Sequence, residues 1–379
     1  MPLENGKLSI VMIGQKGIPV GIADAGGVER HVEELAVRLA EQGHKVTVFV
    51  RPRFQKEAVR EYRGVTLRRL PCIETRSLDA VTHSLVCSLA AVRMMPDIIH
   101  YHGVGPSTMA WIPRLFASGS RVVATLHSID RMHPKWGFMA RAYLRFGEWA
   151  CLRFPHATIS VSQSNRAYGR AAYGRDSHYI PNGADEKPYP GSDLLARWGL
   201  VKDGYFLTVA RLVEQKGIHH LIKAYDGFER FKKLVIVGAG APKSEYAAHL
   251  KSLSEGNSAI VFTGFQSGQA LDQLFANAYL YVHPSEAEGL SVSILEAMAA
   301  GRCTLVSDIP ENVESVDHSG LTFVNADEAD LREKLEELVN HPEIVAERGE
   351  KCRRWVRQQF DWNGIVRETE RLYLKLIQG

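Results

Sequence analysis

The sequence has few of the features that mark secreted, zinc-binding or membrane-spanning proteins. Its five cysteines are odd in number, widely scattered and without a C-x-x-C pair, so neither a disulfide framework nor a zinc–cysteine site is indicated. No apolar run reaches the roughly 18–20 residues of a spanning helix, and the run in MPLENGKLSIVMIG is too short for a signal peptide. We therefore expect a cytoplasmic protein, whose membrane contact, if any, is peripheral.

Two nucleotide-binding motifs are also missing. The sequence has no G-x-x-x-x-G-K-[ST] segment, which argues against a P-loop. The G-A-G at 238–240 lacks the third glycine of a dinucleotide fingerprint and the acidic residue about twenty positions further on. An NAD-dependent oxidoreductase is therefore a weak alternative, which failure to bind nicotinamide would exclude.

Charge is divided unevenly along the chain, although the total is only +3. Residues 1–183 carry 24 Lys and Arg against 14 Asp and Glu, a net charge of +10, and the remainder carries 22 against 29, a net charge of −7. Halves of opposite sign suggest two domains with different partners. A basic half suits nucleic acid, anionic lipid or an acidic acceptor, and charge alone does not choose among them.

Apolar segments alternate with helical patterns in an order typical of parallel α/β sheets. Residues 8–13 form a short apolar run, a glycine-rich loop follows, and apolar residues recur at helical spacing over 28–40 before the next run at 45–50. This β–loop–α–β order predicts right-handed crossovers in a parallel sheet. Further strands are predicted at 98–101, 122–126, 158–161, 205–210, 234–237, 260–263, 280–282 and 303–307, and a helix at 217–231.

The rhythm breaks at Pro181-Asn182-Gly183 and over the Pro-, Gly- and Ser-rich residues 187–193, and then starts again. We therefore predict an α/β protein of two doubly wound domains, 1–185 and 186–362, with 363–379 as a helix that crosses back to the first. Ligands of such sheets bind beyond the carboxyl ends of the strands. Two such domains facing each other would form a cleft, and we expect the site there.

The segment HPSEAEGLSVSILEAMAAG, residues 283–301, contains two glutamates eight positions apart. If all eight positions were helical, Glu288 and Glu296 would lie roughly 12 Å apart. That is on the order of the distance from the sugar to the ribose of a nucleoside diphosphate sugar, so one ligand could bridge both carboxylates. Backbone N–H groups at the helix start would bind its polar middle. Alternatively, Glu288 interacts with the helix dipole and Glu296 is a solvated helix residue.

The segment LTVARLVEQKGIHHLIKA, residues 207–224, places two cations directly after a buried strand. Arg211 follows the strand, and Lys216 lies five residues later, before Gly217. Such a pair can neutralise a diphosphate as it becomes a leaving group. The alternative is an unremarkable surface pair near a turn.

Together these segments resemble the family 4 glycosyltransferases, retaining enzymes of the GT-B fold, which has two Rossmann-like domains. The resemblance extends over nearly the whole chain, and it is specific for fold and reaction class rather than substrate. Besides the two segments above, it rests on GGVERHV (26–32), DIIHYH (97–102), ATLHSID (124–130), ISVSQS (159–164), IPNGAD (180–185), VIVGAG (235–240) and FTGF (262–265).

The resemblance implies a role for each matching residue. Arg211 and Lys216 would bind the donor diphosphate, Glu288 the sugar hydroxyls, Glu296 the ribose, and His127 would approach the sugar where the bond breaks. The remaining donor-binding residues would be Gly26, Gly27, Asn182, Gly238, Phe265, Gly289, Leu290 and Ser291.

The resemblance also implies the reaction, the transfer of a hexose-type sugar from a nucleoside diphosphate sugar to an acceptor hydroxyl. UDP-sugars are our first expectation and GDP-sugars the second. Because no D-x-D motif is present, we expect no metal and no cofactor. A GT-B phosphorylase, a sugar-nucleotide epimerase and a non-catalytic sugar-nucleotide-binding module stay open, and transfer of sugar to an acceptor would separate them.

Two further groups of residues have more than one interpretation. His100 and His102 suggest a metal site, but no third ligand stands out and strand alternation alone places both on one face. His127 could equally be a buried structural residue. The segments 131–154 and 51–76 are basic, and the first is also rich in aromatic residues. They suit either packing elements with arginine-rich outer faces or contact with an anionic membrane. From the basic first half we expect a lipid-linked or anionic glycan acceptor and no nucleic acid.

Overall fold

The computed structural model describes residues 6–21, 26–54, 59–75, 78–129, 131, 137–228, 232–241 and 244–379. They form two compact units. The first holds the described residues up to Asn182, together with Trp362–Gly379, and the second runs from Gly183 to Asp361. Each unit is built around its own parallel sheet.

The strands are short and mostly buried, as strands covered on both faces should be. In chain order they are β1 (Ser9–Ile13), β2 (Lys45–Val50), β3 (Glu61–Tyr62), β4 (Val65–Arg69), β5 (Ile98–His102), β6 (Arg121–Leu126), β7 (Ala157–Ser160), β8 (His178–Tyr179), β9 (Tyr205–Val209), β10 (Lys233–Val237), β11 (Ile260–Gly264), β12 (Leu280–His283), β13 (Cys303–Ser307) and β14 (Leu321–Phe323).

The helices connect these strands. They are α1 (Gly27–Glu41), α2 (Asp79–Met94), α3 (Val104–Ser107), α4 (Trp111–Phe116), α5 (Phe138–Arg153), α6 (Gln163–Tyr173), α7 (Ile218–Ala224), α8 (Glu245–Leu253), α9 (Gly268–Ala276), α10 (Val292–Ala299), α11 (Pro310–Val316), α12 (Glu328–Asn340), α13 (Pro342–Gln359) and α14 (Trp362–Gln378). Short 3-10 helices lie at Pro52–Phe54, Asp193–Trp198 and Glu214–Lys216.

Both sheets are doubly wound. The first has the order β3-β4-β2-β1-β5-β6-β7-β8, parallel except for the β3–β4 pair. The second has the order β11-β10-β9-β12-β13-β14 and is parallel throughout. In each sheet the next strands of the chain are added on one side of the first strand, and the later strands are added on its other side. The reversal falls between β1 and β5 in the first unit and between β9 and β12 in the second, and the crevices there are the usual ligand sites of such sheets.

The α/β fold class predicted from the sequence is confirmed, and the predicted strands agree with the structure to within one residue at either end. Four short strands, β3, β4, β8 and β14, were not predicted. The helix expected over 217–231 was wrong in extent, because α7 ends at Ala224 and the chain turns over 225–227.

The last helix, α14, packs on the first unit. Trp362, Val366 and Tyr373 are buried in the same core cluster as strands β1 and β2. The Tyr373 hydroxyl lies 2.6 Å from Nδ1 of His100 on β5. The second unit thus ends at Asp361, and the closing segment contributes its apolar face to the first.

The described residues include no helix that is both long enough and apolar enough to cross a membrane. All five cysteines lie within the described ranges and are free thiols.

Candidate functional site

In the second unit, Glu288 gathers three polar neighbours at the carboxyl end of β12. Its Oε1 accepts hydrogen bonds of 2.7 Å from Nε2 of His283 and 2.7 Å from Oγ of Ser285. The Lys216 ammonium forms an ion pair with the same oxygen. Only 9% of the Glu288 side chain and 13% of the Lys216 side chain are exposed. None of these three contacts uses Oε2.

These neighbours keep the Glu288 carboxylate ionised. Burial by itself would raise the pKa of Glu288, but the charge of Lys216 and the hydrogen bond from His283 outweigh it and hold the pKa well below its usual range. Burial lowers the pKa of His283, although Glu288 opposes that effect. A neutral His283 can donate from Nε2 to Glu288 while Nδ1 accepts from the Tyr281 hydroxyl, 3.1 Å away. The site is therefore a fixed negative charge beside a fixed positive one.

Gly217 brings the Lys216 loop against the Glu288 loop. A Cβ atom at Gly217 would lie 1.9 Å from the Pro284 carbonyl oxygen, and its φ of +59° is unfavourable for other residues. The amide of Glu286 donates to the Gln215 carbonyl over 2.9 Å beside this contact. The loops after β9 and β12 are neighbours because β9 and β12 are adjacent strands, and the glycine lets their backbones touch.

Arg211 lies at the end of β9, with its side chain exposed. Within the described ranges it forms no ion pair, so its guanidinium is available to an anion. The backbone of Gly238, after β10, packs directly against the residue that precedes Arg211. A Cβ atom at Gly238 would lie 1.8 Å from the Ala210 carbonyl oxygen. Phe265 follows β11 and is half-buried. The ends of β9, β10 and β11 thus lie side by side, with the cation at the first of them.

The segment between Glu288 and Glu296 is not helical throughout, so the distance argument from eight helical positions was wrong. Helix α10 begins only at Val292, with Ser291 as the residue before it. Gly289, Leu290 and Ser291 are buried in the loop that leads into the helix. Glu296 is half-buried in the second turn of α10. The two carboxylates therefore belong to different local structures, one fixed by a loop and the other by a helix.

In the first unit, three buried histidines meet at the carboxyl ends of β5 and β6. Nδ1 of His102, the last residue of β5, lies 3.3 Å from Nε2 of His127, which follows β6. The ring of His31, on α1, packs edge-on against His127 with ring centres 4.8 Å apart. Nδ1 of His31 donates to Oδ1 of Asn182 over 2.9 Å. We call His31, His102 and His127 the histidine cluster.

The imidazoles of the histidine cluster are neutral at pH 7. Burial lowers the pKa of His31 to about 4, although its hydrogen bond to Asn182 raises it. Burial, together with the neighbouring histidines, holds the pKa of His102 and of His127 well below 6.5.

The sequence pairs His102 with His100 as possible metal ligands and shows no third ligand, whereas the structure places two other histidines beside His102. Its companion in the sequence, His100, is not part of the cluster, because its Nε2 lies 2.7 Å from Thr125 Oγ1 and its Nδ1 is bonded to Tyr373. His31 and His127 are instead brought in from α1 and from the end of β6. One ring nitrogen from each of the three histidines lies within 4.8 Å of the others.

Gly26 and Gly27 lie at the N-terminus of α1. The Gly26 amide donates to Oε2 of Glu29 over 2.8 Å, and the other oxygen of that carboxylate accepts from the Lys16 amide at 3.0 Å. Glu29 is buried and therefore anchors the loop after β1 to the start of the helix. Gly27 is exposed, so its backbone is open to a ligand.

Comparisons with known proteins agree with this arrangement. Residues 25–187 match the family model described as "Glycosyltransferase Family 4", and residues 196–359 match "Glycosyl transferases group 1". A glycogen synthase from Mycobacterium tuberculosis is 25% identical over 408 residues, which cover 98% of this chain and 96% of the relative. This chain belongs to the family 4 glycosyltransferases.

Solved structures show the same fold. A sucrose-phosphate synthase from Thermosynechococcus elongatus has a TM-score of 0.85 at 21% identity, covering 98% of this chain and all of that one. Anabaena HepE, solved with UDP-glucose, has a TM-score of 0.75 at 21% identity, covering 95% and 98% of the two chains. This glycosyltransferase therefore has the GT-B fold.

The structure of this glycosyltransferase assembles part of the predicted site and adds to it. Lys216 and Glu288 form an ion pair, and Asn182 is hydrogen-bonded to His31 of the histidine cluster. Sequence reasoning missed His283 and Ser285, although both stand in the HPSEAEG segment that carries Glu288. It also missed His31, in the GGVERHV segment. These three residues could have been found, because each lies in a segment that the sequence analysis had already selected for another residue.

Proposed function

We propose that this glycosyltransferase moves a hexose-type sugar from a nucleoside diphosphate sugar to an acceptor hydroxyl, with retention at the anomeric carbon. The proposal rests on the Lys216–Glu288–His283 cluster, with the exposed Arg211 at the same carboxyl end of the sheet. A cation pair suits a diphosphate leaving group, and a buried carboxylate that stays ionised suits sugar hydroxyls beside a centre that becomes positive.

Each part of the donor then has a partner of fitting chemistry. Arg211 and Lys216 bind the diphosphate, and Lys216 shares its charge with Glu288. Glu288, together with the amides of Gly289, Leu290 and Ser291, holds the sugar hydroxyls. The carboxylate of Glu296 accepts hydrogen bonds from the ribose. The base lies near Gly238 and Phe265, at the ends of β10 and β11.

The first unit contributes to the same reaction in this proposal. The family resemblance assigns His127 to the reacting carbon and the backbone of Gly26 and Gly27 to the diphosphate, and we carry these roles into the proposal. Because no carboxylate nucleophile is assigned, we favour a front-face path through an oxocarbenium-like state. In it the bond from the anomeric carbon to the diphosphate oxygen breaks, the acceptor oxygen attacks from the same face, and the departing phosphate oxygen takes the acceptor proton. No metal takes part.

The donor panel is the first test. UDP-, GDP-, ADP- and dTDP-sugars are compared by thermal shift, since a ligand that binds the folded state raises the melting temperature. We expect the largest shift with a UDP-sugar and the next with GDP-mannose. Transfer to a hydroxyl acceptor, with the product's anomeric configuration read by NMR, tests the reaction. Donor binding without transfer to any acceptor would favour a non-catalytic module, and an inverted product would contradict the mechanism.

We further propose a lipid-linked or anionic glycan acceptor, reached at an anionic membrane surface. On α5, Phe138 and Met139 are 88% and 84% exposed, and Phe146 and Trp149 are also exposed. Arg141, Arg145 and Arg153 are exposed on the same helix, while residues such as Leu144 and Cys151 face the core. Exposed aromatic and basic side chains together suit the headgroup region. Lys135 and Trp136 of this segment lie outside the described residues.

Liposome co-sedimentation tests the membrane contact. Binding should rise with the fraction of anionic lipid and fall with added salt. Phe138→Ser combined with Met139→Ser should weaken it, while Val201→Ser, which changes a 69% exposed apolar residue of the second unit, should not. Equal binding to neutral and anionic vesicles would contradict this part of the proposal.

A further inference from the structure

The histidine cluster has more nitrogen atoms than hydrogen-bonding partners. His31 Nδ1 is bonded to Asn182, and His102 Nδ1 and His127 Nε2 share one contact. Nε2 of His102 is buried and has no partner in the described part of the chain. Leaving such a group unsatisfied costs on the order of 1–3 kcal/mol. The other nitrogen of the same ring, Nδ1, faces His127 and is the one that an ion shared with His127 would use.

The geometry of the cluster suits a tetrahedral metal ion. Zinc–imidazole bonds of about 2.0–2.1 Å place two ligand nitrogens roughly 3.3–3.4 Å apart in a tetrahedral site. Nδ1 of His102 and Nε2 of His127 are 3.3 Å apart, and one ring nitrogen of each of the three histidines lies within 4.8 Å of the others. Burial also keeps the imidazoles neutral, which is the form that binds zinc.

The surroundings of the cluster resemble those of histidines that bind metals in proteins. Because Asn182 Oδ1 accepts the proton of His31 Nδ1, Nε2 of His31 carries the lone pair, and its ring orientation is fixed by the same bond. Nδ2 of Asn165 donates to the backbone carbonyl of His127 over 3.3 Å and so anchors that residue. His31, His102 and His127 are all buried, with His127 the most exposed of the three at 7%.

We propose that His31, His102 and His127 form a binding site for Zn²⁺ or a similar transition-metal ion, and that its occupancy inhibits glycosyl transfer. The inhibition rests on the proposed role of His127, because a metal-bound imidazole has no lone pair left for the sugar. The metal site itself does not depend on that role. Three neutral imidazoles are a donor set common in zinc proteins. This enzyme would thus be inhibited by an ion that its reaction does not use.

Cobalt(II) is the probe for the site, since its visible absorption reports the number and type of ligands. We expect one equivalent to bind to the full chain with a four- or five-coordinate spectrum, and Zn²⁺ to displace it. His102→Gln should weaken binding by at least about tenfold. The control is His220→Gln, because His219, His220 and Glu286 form a second group of possible ligands in the other unit. It should leave the spectrum unchanged.

Several results would overturn the proposal. These are a spectrum that survives His102→Gln and disappears in His220→Gln, and the absence of any cobalt band at millimolar metal. If His102→Gln does not fold, X-ray absorption on the zinc-loaded wild-type chain decides. Three imidazole ligands support the site, and two imidazoles with a carboxylate assign the metal to the second group.

Activity measurements separate this inference from the proposed function. Zn²⁺ should inhibit transfer over the same concentration range in which it displaces Co²⁺. Cobalt binding at the histidine cluster without any transfer activity would refute the proposed function and leave the site standing. Transfer activity that Zn²⁺ does not affect, although the site is filled, would refute the inhibition.

Discussion

Replacing Glu288 by glutamine tests the arrangement on which the donor site depends. The amide oxygen of glutamine can still accept from His283 and Ser285, so Glu288→Gln removes the negative charge and little else. Lys216 then keeps its positive charge at a position that is only 13% exposed, without its ion-pair partner. Both stability and turnover should fall, for different reasons.

The size of the stability loss follows from burial. Breaking a buried ion pair by removing one partner costs about 3–5 kcal/mol. Both side chains retain a little exposure, so we expect about 2–3 kcal/mol, below that range. For a unit of this length each kcal/mol lowers the melting temperature by roughly 2–4 °C. The second unit should therefore melt about 4–12 °C lower. We also expect kcat to fall at least about tenfold, which corresponds to roughly 1.4 kcal/mol of barrier.

A double-mutant cycle provides the assay. Melting curves and kinetics are recorded for Glu288→Gln, Lys216→Met and the double variant. The double variant should lose at least about 1 kcal/mol less than the sum of the single changes, because it leaves no unpaired charge. Glu286→Gln, two residues earlier and 38% exposed, is the matched control and should change stability by at most about 0.5 kcal/mol. Additive effects, or a Glu288 variant that melts like the Glu286 variant, would refute the ion pair.

Three further predictions concern the donor, the metal and pH. Glu296→Gln should raise the donor KM with little change in kcat, since ribose contacts stabilise ground and transition states alike. Calorimetry should also show weaker binding of free nucleoside diphosphate. Unchanged nucleotide affinity would show that Glu296 does not bind ribose. A chelator should not reduce transfer, and a loss restored only by Mg²⁺ or Mn²⁺ would contradict metal-independent catalysis. Burial and the nearby charge of Arg51 lower the pKa of His83 to about 4. Between pH 6.5 and 4 the unfolded chain therefore binds a proton at His83 that the folded chain does not. Stability should be fully present above pH 6.5 and fall by up to about 1.4 kcal/mol per pH unit through that window. His83→Gln should remove this part of the slope, measured by denaturant unfolding, and an unchanged slope would count against it.

The sequence by itself determined the fold class and the main strands. Buried parallel strands are short apolar runs, and the loops after them contain the glycines that close approach requires, so residues 45–50 and 303–307 could be assigned to their full length. The short strands β3, β8 and β14 could not be predicted, because two or three residues show no period and pair only with a strand already in place.

The candidate site was predictable only in part. Arg211 and Lys216 could be chosen because they follow a predicted strand, and ligands bind at the carboxyl ends of parallel strands. Glu288 could be chosen because it stands eight residues before Glu296 at a predicted helix start. That Lys216 and Glu288 share an ion pair, with His283 as a third partner, was not predictable, because it depends on β9 and β12 being adjacent although 72 residues separate the two side chains.

The histidine cluster was decided by the tertiary structure alone. The sequence pairs His100 with His102, since both lie on β5, and alternation places them on one face. Their rings do lie side by side, with centres 4.1 Å apart, but Tyr373 from the last helix and Thr125 contact both nitrogens of His100. His102 instead meets His127 from the adjacent strand end and His31 from α1. Residue spacing records neighbours along the chain, but strand order and helix packing determine which nitrogens meet in space.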